Sequence, residues 1–262
     1  MAKLNVFVDG TWLYNACGAD RALATRLEYP DRRFQLDHAK LVNEILAHAQ
    51  RHIPKCDSIG SMYFATSVFE LPVDLAEWPN ERDDVTAADV ESVKRSTAAR
   101  EKFAENAVQA GYSKDAIFRP KLKGWMLGKL REHRFQEKQV DATVVALLVK
   151  YAITCPEDVH VIITGDSDVL PAIKVAYPEY SDNVLVATTH PDQLKVDSRQ
   201  TSYALADFNY LIPPFYLEQN ADKIMQGANV YKCVHCSKVF SRPNPIPRNT
   251  AACCRPCHEK RE

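Results

Sequence analysis

The stretch Val161-Ile162-Ile163-Thr164-Gly165-Asp166-Ser167-Asp168 decides the fold that the sequence predicts. It starts as an uninterrupted apolar run, which is typical of a parallel β-strand that is covered on both faces. A second apolar run, residues 4–8, is followed directly by Asp9 and Gly10. Because ligands bind outside the carboxyl ends of the strands in open parallel sheets, we expect these acids to meet at one edge of the sheet.

Strand and helix signals alternate along the rest of the chain. This alternation predicts an α/β fold, a three-layer sandwich around a mainly parallel sheet. Asp37 is expected to cap one helix, and Thr86 to open a long helix that Gly111 ends. Asp141 is expected to start an apolar helix. Further strands are predicted over residues 59–65, 116–122 and 184–187, the last of the parallel strands, with a short strand or hairpin around residues 125–130.

The composition describes a chain of 262 residues with 46% hydrophobic residues and a formal net charge of −1. The charge is uneven, because residues 231–262 hold seven Lys or Arg against two Glu, whereas the remainder holds 26 basic and 32 acidic residues. A basic tail on an acidic body indicates contact with nucleic acid. No apolar run approaches about 18 residues, the length that a membrane span needs, so we expect no membrane contact. Three cysteines are scattered along the chain: Cys17, Cys56 and Cys155. Cysteines of this kind are typical of reduced core residues, so we expect a cytoplasmic protein.

Carboxylates that meet at one sheet edge predict a particular chemistry. Asp9, Asp166 and Asp168 would repel one another unless a cation joined them. Oxygen ligands of this kind suit the hard divalent ions Mg²⁺ and Mn²⁺, which indicates phosphate chemistry. The alternatives are purely structural: a turn at Asp9, a helix cap at Asp141, and an acidic turn at residues 166–168 that caps the next helix.

Three short motifs follow one another along the chain: Asp9-Gly10 after a strand, Glu137-Lys138-Gln139-Val140-Asp141 at the start of a helix, and Gly165-Asp166-Ser167-Asp168. Their order resembles the NYN domain, which belongs to the PIN-like nucleases and is related to the flap endonucleases. Residues 205–208 resemble the segment that ends many such domains. The resemblance covers residues 3–212.

This resemblance implies a metal-dependent ribonuclease that acts as an endonuclease. The metal would deprotonate a water molecule and orient it in line with the scissile phosphodiester. The family usually has Asn three residues after the first Asp, where this chain has Trp12. Asn15 lies one helical turn further on and is a candidate substrate-binding residue in its place. The implied catalytic residues, which would hold one or two Mg²⁺ or Mn²⁺ ions, are Asp9, Asp141, Asp166 and Asp168.

A basic segment, residues 119–134, surrounds Trp125. Two interpretations stay open: a surface that follows an RNA backbone and stacks one base, or a solvated hairpin with Trp125 packed on the core. Lys121 and Lys123 are candidate substrate-binding residues, as is Lys138, for which a solvated side chain is the alternative. Three basic residues of the preceding long helix are candidates to line the same groove, but its alternating charges favour a solvated face: Arg95, Arg100 and Lys102.

The C-terminal cysteines form the most specific local pattern. The pair Cys233 and Cys236 is followed, after seventeen residues, by the pair Cys254 and Cys257, a spacing typical of a four-thiolate Zn²⁺ site. A segment of about thirty residues cannot build a core of its own, so metal would fold it as a zinc ribbon. Alternative ligands adjoin these positions: Cys253, His235 and His258.

We therefore expect an NYN or PIN-like domain over residues 1–212, a linker over residues 213–230 and a zinc ribbon over residues 231–262. RNA is the expected partner. The alternative is a protein that binds the ribbon. The chain has no Gly-x-Ser-x-Gly elbow, no Walker loop and no Gly-x-Gly-x-x-Gly fingerprint, which argues against other enzyme classes. Two alternative functions remain: a non-catalytic PIN-like module that binds RNA or protein, and a nuclease that acts on structured DNA.

Overall fold

The computed structural model describes residues 2–81, 83–131, 139–177, 183–190, 205 and 210–260. These residues form a six-stranded parallel sheet with helices on both faces, and a separate antiparallel hairpin of β7 (Val230–Lys232) and β8 (Val239–Ser241). The predicted α/β fold is confirmed. In sheet order, the strands are β3 (Ile117–Phe118), β2 (Cys56–Ser67), β1 (Ala2–Asp9), β4 (Val159–Ile163), β5 (Val184–Thr188) and β6 (Phe215–Tyr216).

Two long helices begin at the caps that the sequence predicts. The Asp37 carboxylate accepts a hydrogen bond from the backbone N–H of Lys40 at 3.0 Å, and Thr86 forms a reciprocal capping box with Asp89. Gly111, with a φ of +100°, ends the long helix as predicted. Within the described residues, no helix is long and apolar enough to cross a membrane. The helices are α1 (Gly10–Ala16), α2 (His38–His52), α3 (Trp78–Glu81), α4 (Ala87–Gln109), α5 (Gly124–Arg131), α6 (Gln139–Thr154), α7 (Leu170–Ala176), α8 (Ala221–Ile224) and α9 (Arg255–Glu259).

The sheet separates two apolar cores because successive side chains of a strand point to opposite faces. Val6 and Val8 face the core that also contains residues of α1, α2 and α4. Phe7, between them, lies in the opposite core with Ile162 of β4 and residues of α6 and α7. Both faces of the central strands are therefore buried, which explains their continuous apolar sequences.

The segment after β3 differs from the sequence prediction. Strand β3 ends at Phe118, and α5 replaces the strand or hairpin predicted around residues 125–130. Leu127 of α5 packs in a small core with Leu122, whereas Trp125 is 52% exposed. The alternative that placed Trp125 on the core is therefore wrong as well.

Residues 213–230 also differ from the linker that was predicted. Phe215 and Tyr216 form β6, which pairs in parallel with β5, so β5 is not the last parallel strand. Ile224 of α8 is buried in the same core as α2. Residues 215–224 are therefore part of the α/β body.

His38, the first residue of α2, is buried in an aromatic environment. Its ring lies 5.4 Å from that of Phe64, 4.8 Å from that of Phe103 and 6.1 Å from that of Tyr112, measured between centroids. Burial disfavours the charged imidazolium and lowers the pKa of His38 from 6.5 to about 4, although the charge of Asp37 acts in the opposite direction. The folded protein therefore binds this proton at a lower pH than the unfolded chain does.

We expect His38→Phe to make folding less sensitive to acid. As the pH falls from about 6.5 to about 4, only the unfolded wild-type chain takes up the His38 proton, which lowers the free energy of unfolding by up to about 3 kcal/mol. Urea unfolding at about pH 7 and about pH 4.5 measures this loss. The control His52→Gln removes an exposed histidine and should keep the wild-type pH dependence. Wild-type pH dependence in His38→Phe would contradict the prediction.

Candidate metal centres

The pairing of β1 with β4 brings two of the predicted acidic motifs together. Val8 lies opposite Ile163 in the parallel register, so Asp9 and Thr164 follow at the same edge of the sheet. Asp9 is 5% exposed, and its carboxylate accepts hydrogen bonds from the Trp12 backbone N–H at 2.8 Å and the Thr164 hydroxyl at 3.0 Å. These two donors hold the carboxylate in one orientation.

The buried carboxylate of Asp9 is electrostatically unfavourable at neutral pH. Burial raises its pKa from 3.8 to about 6; hydrogen bonds from Trp12 and Thr164 oppose this rise, and the charges of Asp141 and Asp166 add to it. The rise corresponds to about 3 kcal/mol at neutral pH. A cation beside Asp9 would relieve this cost, since bound divalent ions favour the ionised form of nearby carboxyl groups.

The other three aspartates lie at different depths. Asp141, in the first turn of α6, and Asp166, after β4, are half-buried, whereas Asp168 is exposed. The Asp166 carboxylate accepts a hydrogen bond from the Asp168 N–H at 3.0 Å and so caps the short 3-10 helix Ser167–Val169. The structure thus places Asp141 and Asp166 within electrostatic reach of Asp9. The Asp166 cap belongs to the 3-10 helix, whereas α7, the helix that the alternative expected these acids to cap, has Val169 at its N-cap and no side-chain cap.

The four aspartates do not form a compact ligand set in this structure. Among the described residues, the one group of three or more Cys, His, Asp or Glu side chains that could hold a metal ion is formed by the C-terminal cysteines. The oxygen donors of Asp9, Asp141 and Asp166 nevertheless match a hard divalent ion in chemical type. The burial of the Asp9 carboxylate, which raises its pKa and to which the charges of Asp141 and Asp166 add, is the observation that favours such an ion.

Trp12 lies directly over the turn that carries Asp166. A Cβ added to Gly165 would lie 2.3 Å from Nε1 of Trp12, so only glycine leaves room for the indole. A Cβ added to Gly10 would lie 2.4 Å from the ring of Phe64, so glycine also allows α1 to start against β2. Both glycines of the predicted motifs are therefore required by close packing around the acids.

Thr164 is a residue of the site that sequence analysis did not single out. Its hydroxyl donates to Oδ2 of Asp9 and accepts a hydrogen bond from the Asp166 N–H at 3.1 Å. Thr164 is completely buried and links the ends of β1 and β4. The sequence pattern that could have identified Thr164 is a hydroxyl residue between an apolar strand and the turn that begins at Gly165.

The candidate substrate-binding residues do not gather around Asp9. Asn15 is exposed on α1, and the Asp9 carboxylate takes its hydrogen bonds from Trp12 and Thr164 instead. Two lysines are exposed just before α5: Lys121 and Lys123. Parts of the predicted segments lie outside the described residues: residues 132–138, which include Glu137 and Lys138, and residues 206–208.

The second candidate centre consists of the predicted zinc ligands. Four Sγ atoms lie within 4.8 Å of one another, a set typical of a structural Zn²⁺ site: those of Cys233, Cys236, Cys254 and Cys257. Cys253 is not in the set, and its thiol contacts the Cys254 carbonyl oxygen at 3.5 Å. The structure thus favours Cys254 over its neighbour, and the set also excludes His235 and His258.

The local backbone explains why the cysteines converge. The first pair lies in the turn between β7 and β8, where Ser237 has a φ of +58°. The second pair lies at the start of α9, where the N–H of Cys257 donates to the Cys254 carbonyl at 3.1 Å. Burial raises the pKa of Cys233, but backbone N–H groups from both turns donate to its sulfur and bring the pKa down to about 5. The thiolate is the form that binds zinc.

The ribbon that holds these cysteines is docked on the α/β body by the loop after α1. Leu27 forms a parallel bridge with Val239 of β8, and the N–H of Glu28 donates to the Val239 carbonyl at 3.1 Å. The Glu28 carboxylate accepts a hydrogen bond from the N–H of Arg255 at 3.1 Å and pairs with Arg242 at 3.6 Å. Val239 itself is buried in the main core.

Comparisons with protein-family models, with curated proteins and with solved structures found no match to this chain. The resemblance to the NYN domain therefore rests on the motifs and on their placement in the fold. The parallel sheet between two helical layers and the cysteine cluster are observed. The family assignment stays a prediction.

We expect Gly165→Ala to destabilise the protein because the added Cβ meets the indole of Trp12. Overpacking of this kind costs about 1–3 kcal/mol. Trp12→Asn should remove much of this penalty, so the double variant should be more stable than the sum of the single effects predicts. Urea unfolding of the four proteins measures the coupling. Effects that add within about 0.5 kcal/mol would contradict the contact.

We expect Cys233→Ser to lose the bound zinc while the parallel sheet stays folded. Metal analysis of purified protein and far-UV circular dichroism measure the two effects. The matched control is Cys253→Ser, which alters a cysteine outside the cluster and should keep wild-type zinc content. Unchanged zinc in Cys233→Ser, or equal loss in both variants, would contradict the assignment of the ligands.

Proposed function

We propose that this protein is a metal-dependent ribonuclease that hydrolyses RNA phosphodiester bonds at the carboxyl edge of its parallel sheet. The scissile phosphate would lie across the ends of β1 and β4. The RNA strand would continue towards the exposed basic residues around α5. Zinc held by the cysteine cluster would stabilise the ribbon and take no part in the cleavage.

The buried carboxylate of Asp9 is the observation that carries this proposal. A carboxylate that folding holds near two others at a cost of about 3 kcal/mol is typical of a functional position rather than of a turn. The position also agrees with the rule that ligands of open parallel sheets bind at the carboxyl ends of the strands. No histidine is required for the chemistry that such acids support.

Different residues at this edge would hold the metal ion, orient the Asp9 carboxylate and restrict water. Mg²⁺ or Mn²⁺, when bound, would lower the pKa of a water molecule and neutralise charge that develops on the phosphate. Asp9, Asp141, Asp166 and Asp168 would hold the ion. Thr164 keeps the Asp9 carboxylate oriented, because its hydroxyl donates to Oδ2. The Trp12 indole, packed on the turn before Asp166, would restrict water on one side of the acids.

The surface around α5 supports a nucleic-acid substrate. Lys129 places its Nζ 4.9 Å from the ring centroid of Trp125, which is half-exposed and available to stack a base. Lys121 and Lys123 extend the positive charge towards β3. Strand β3 is two positions from β1 in the sheet, a distance of about 10 Å, and runs parallel to it, so the carboxyl end of β3, which leads to these lysines, lies at the same edge as Asp9.

The proposal is tested by cleavage of labelled single-stranded RNA, structured RNA and matching DNA in Mn²⁺, Mg²⁺ or EDTA. We expect cleavage of RNA that requires the divalent ion and is lost in the double variant Asp166→Asn/Asp168→Asn. That variant should still bind RNA, because it keeps the basic surface. The loss should be at least about a hundredfold, since electrostatic stabilisation of the transition state is the main source of the rate.

The matched control is Asp57→Asn/Glu157→Gln, which removes two exposed acids at the amino ends of β2 and β4. It should cleave RNA at the wild-type rate. Equal loss in both double variants would show a non-specific charge effect. Intact RNA in every condition, from a protein with a cooperative unfolding transition, would contradict the nuclease.

A non-catalytic binding module is the second candidate function. The observation that favours it is the lack of a compact carboxylate ligand set among the described residues, together with the indole of Trp12 over Gly165. This alternative predicts RNA binding without cleavage and without a requirement for divalent ions. A nuclease that acts on structured DNA remains the third candidate, and the DNA samples of the same experiment distinguish it.

A further inference from the structure

Two arginines share one tyrosine ring between the second half of α4 and the end of α1. The Cζ atom of Arg33 lies 3.5 Å from the ring centroid of Tyr14, and the Cζ atom of Arg100 lies 4.7 Å from it. The guanidinium of Arg33 also donates to the Tyr14 carbonyl. Phe103 packs against the edge of the same ring at a centroid distance of 5.4 Å. The two guanidinium groups are thus fixed by stacking, and both side chains remain partly exposed.

The positive charge of this pair is not neutralised within the described part of the chain, where no carboxylate forms an ion pair with either guanidinium. Glu101, the residue after Arg100, pairs with Arg119 at 2.6 Å instead. Arg95 and Lys102 on the same helix are exposed, as the sequence predicted, but Arg100 is half-buried. The solvated face predicted for Arg100 is therefore wrong.

Holding two cations together in this way is unfavourable unless an anion joins them. Burial lowers the pKa of Arg100, the Tyr14 hydroxyl acts in the opposite direction, and the charge of Arg33 lowers it further. Guanidinium groups bind phosphate oxygens through two parallel hydrogen bonds. Stacking on the ring occupies the faces of both groups, so apart from the Arg33 N–H that donates to Tyr14 their donor edges can meet such an anion.

The pair lies close to the carboxylate edge. Tyr14 is five residues after Asp9, which places it about 7 Å further along the axis of α1. Gly10 and Tyr14 lie on the side of α1 that faces β2 and α4, whereas Trp12 points to β4. A nucleic-acid strand with one phosphate at Asp9 would therefore bring a neighbouring phosphate within reach of the arginines.

We propose that Arg33 and Arg100 form a binding site for one phosphodiester of a nucleic-acid strand, with Tyr14 as the platform that fixes both guanidinium groups. This site rests on the proposed function in placing the strand at the edge that carries Asp9. It differs from the surface around α5, which lies beyond β2 and uses lysines and Trp125. The arginines bind and position the strand and take no part in bond cleavage.

Fluorescence anisotropy tests the site with a labelled single-stranded RNA and the DNA of the same sequence, without added Mg²⁺ or Mn²⁺ so that nothing is cut and the cysteine cluster keeps its zinc, over a range of NaCl concentrations. We expect Arg100→Gln to weaken the binding of both strands by about tenfold, since a charge-assisted contact is lost. The slope of log K against log salt should become shallower by about 0.7 to 1, the amount expected for one phosphate contact.

Arg32→Gln is the matched control. It removes an exposed arginine that stacks on Tyr29, with its Cζ atom 4.8 Å from the ring centroid, and that is not part of the pair. Its affinity and salt slope should stay at the wild-type values. Arg100→Lys keeps the charge but loses the planar fork, so it should bind with intermediate affinity. Thermal unfolding shows whether each variant is folded. If Arg100→Gln does not fold, the affinity and salt slope of Arg100→Lys still test the site.

Wild-type affinity and slope in Arg100→Gln would overturn the site, as would a loss confined to RNA, which would assign the contact to the 2′-hydroxyl. Absence of strand binding by the wild-type protein would overturn it too. Failure of the proposed function has a different signature. Arginine-dependent binding without metal-dependent cleavage would support the phosphate site and contradict the nuclease. Metal-dependent cleavage that is insensitive to Arg100→Gln would support the nuclease and contradict the phosphate site.

Discussion

Val8 of β1 lies opposite Ile163 of β4, and this register fixes the arrangement of everything at the carboxyl edge. One residue further along each strand, Thr164 donates its hydroxyl to the Asp9 carboxylate at 3.0 Å. Since side chains alternate along a strand, a slip of one residue would move the apolar set of β1 to the wrong face and turn Asp9 away from Thr164. The contact of Trp12 with the backbone after Thr164 depends on the same pairing. The apolar cores on both faces of the sheet therefore specify the position of the acid.

The two ends of α1 carry charges of opposite sign, and each group of like charges is unfavourable without a ligand. Asp9 is buried near two other carboxylates, and Arg33 and Arg100 share the ring of Tyr14. A domain that is stable by about 5–15 kcal/mol tolerates few such arrangements, because each removes a noticeable part of that margin. A metal ion beside the acids and a phosphate beside the arginines would relieve both at once. A nucleic-acid strand with its metal supplies both kinds of charge.

The parts of the fold that the sequence predicted are those with a strong local signal. Asp37 and Thr86 cap helices through their own side chains, and the spacing of the cysteines is enough to locate their cluster. Helix α5 was missed because a short segment with Gly124 at its start has no long apolar period, and the burial of Leu127 in a small tertiary core decides its structure. Strand β6 is only two residues long and exists through its pairing with β5, which no local pattern reports. Thr164 and the arginine pair were missed for the same reason, since their partners are distant in sequence.

The composition suggests a strongly basic ribbon, but the structure leaves few of its basic groups available to a ligand. Several of its basic groups are used internally: Arg242 pairs with Glu28, Arg255 pairs with Glu259, and Lys238 donates to a backbone carbonyl of the body. The basic residues of the described ribbon that are left exposed without these contacts are few: Lys232, Arg248 and Lys260. Four thiolates with one Zn²⁺ would add a charge of about −2 and reduce the remaining positive field further. The ribbon is therefore better suited to hold the loop after α1 in place than to grip an RNA strand, and that loop leads directly to Arg33.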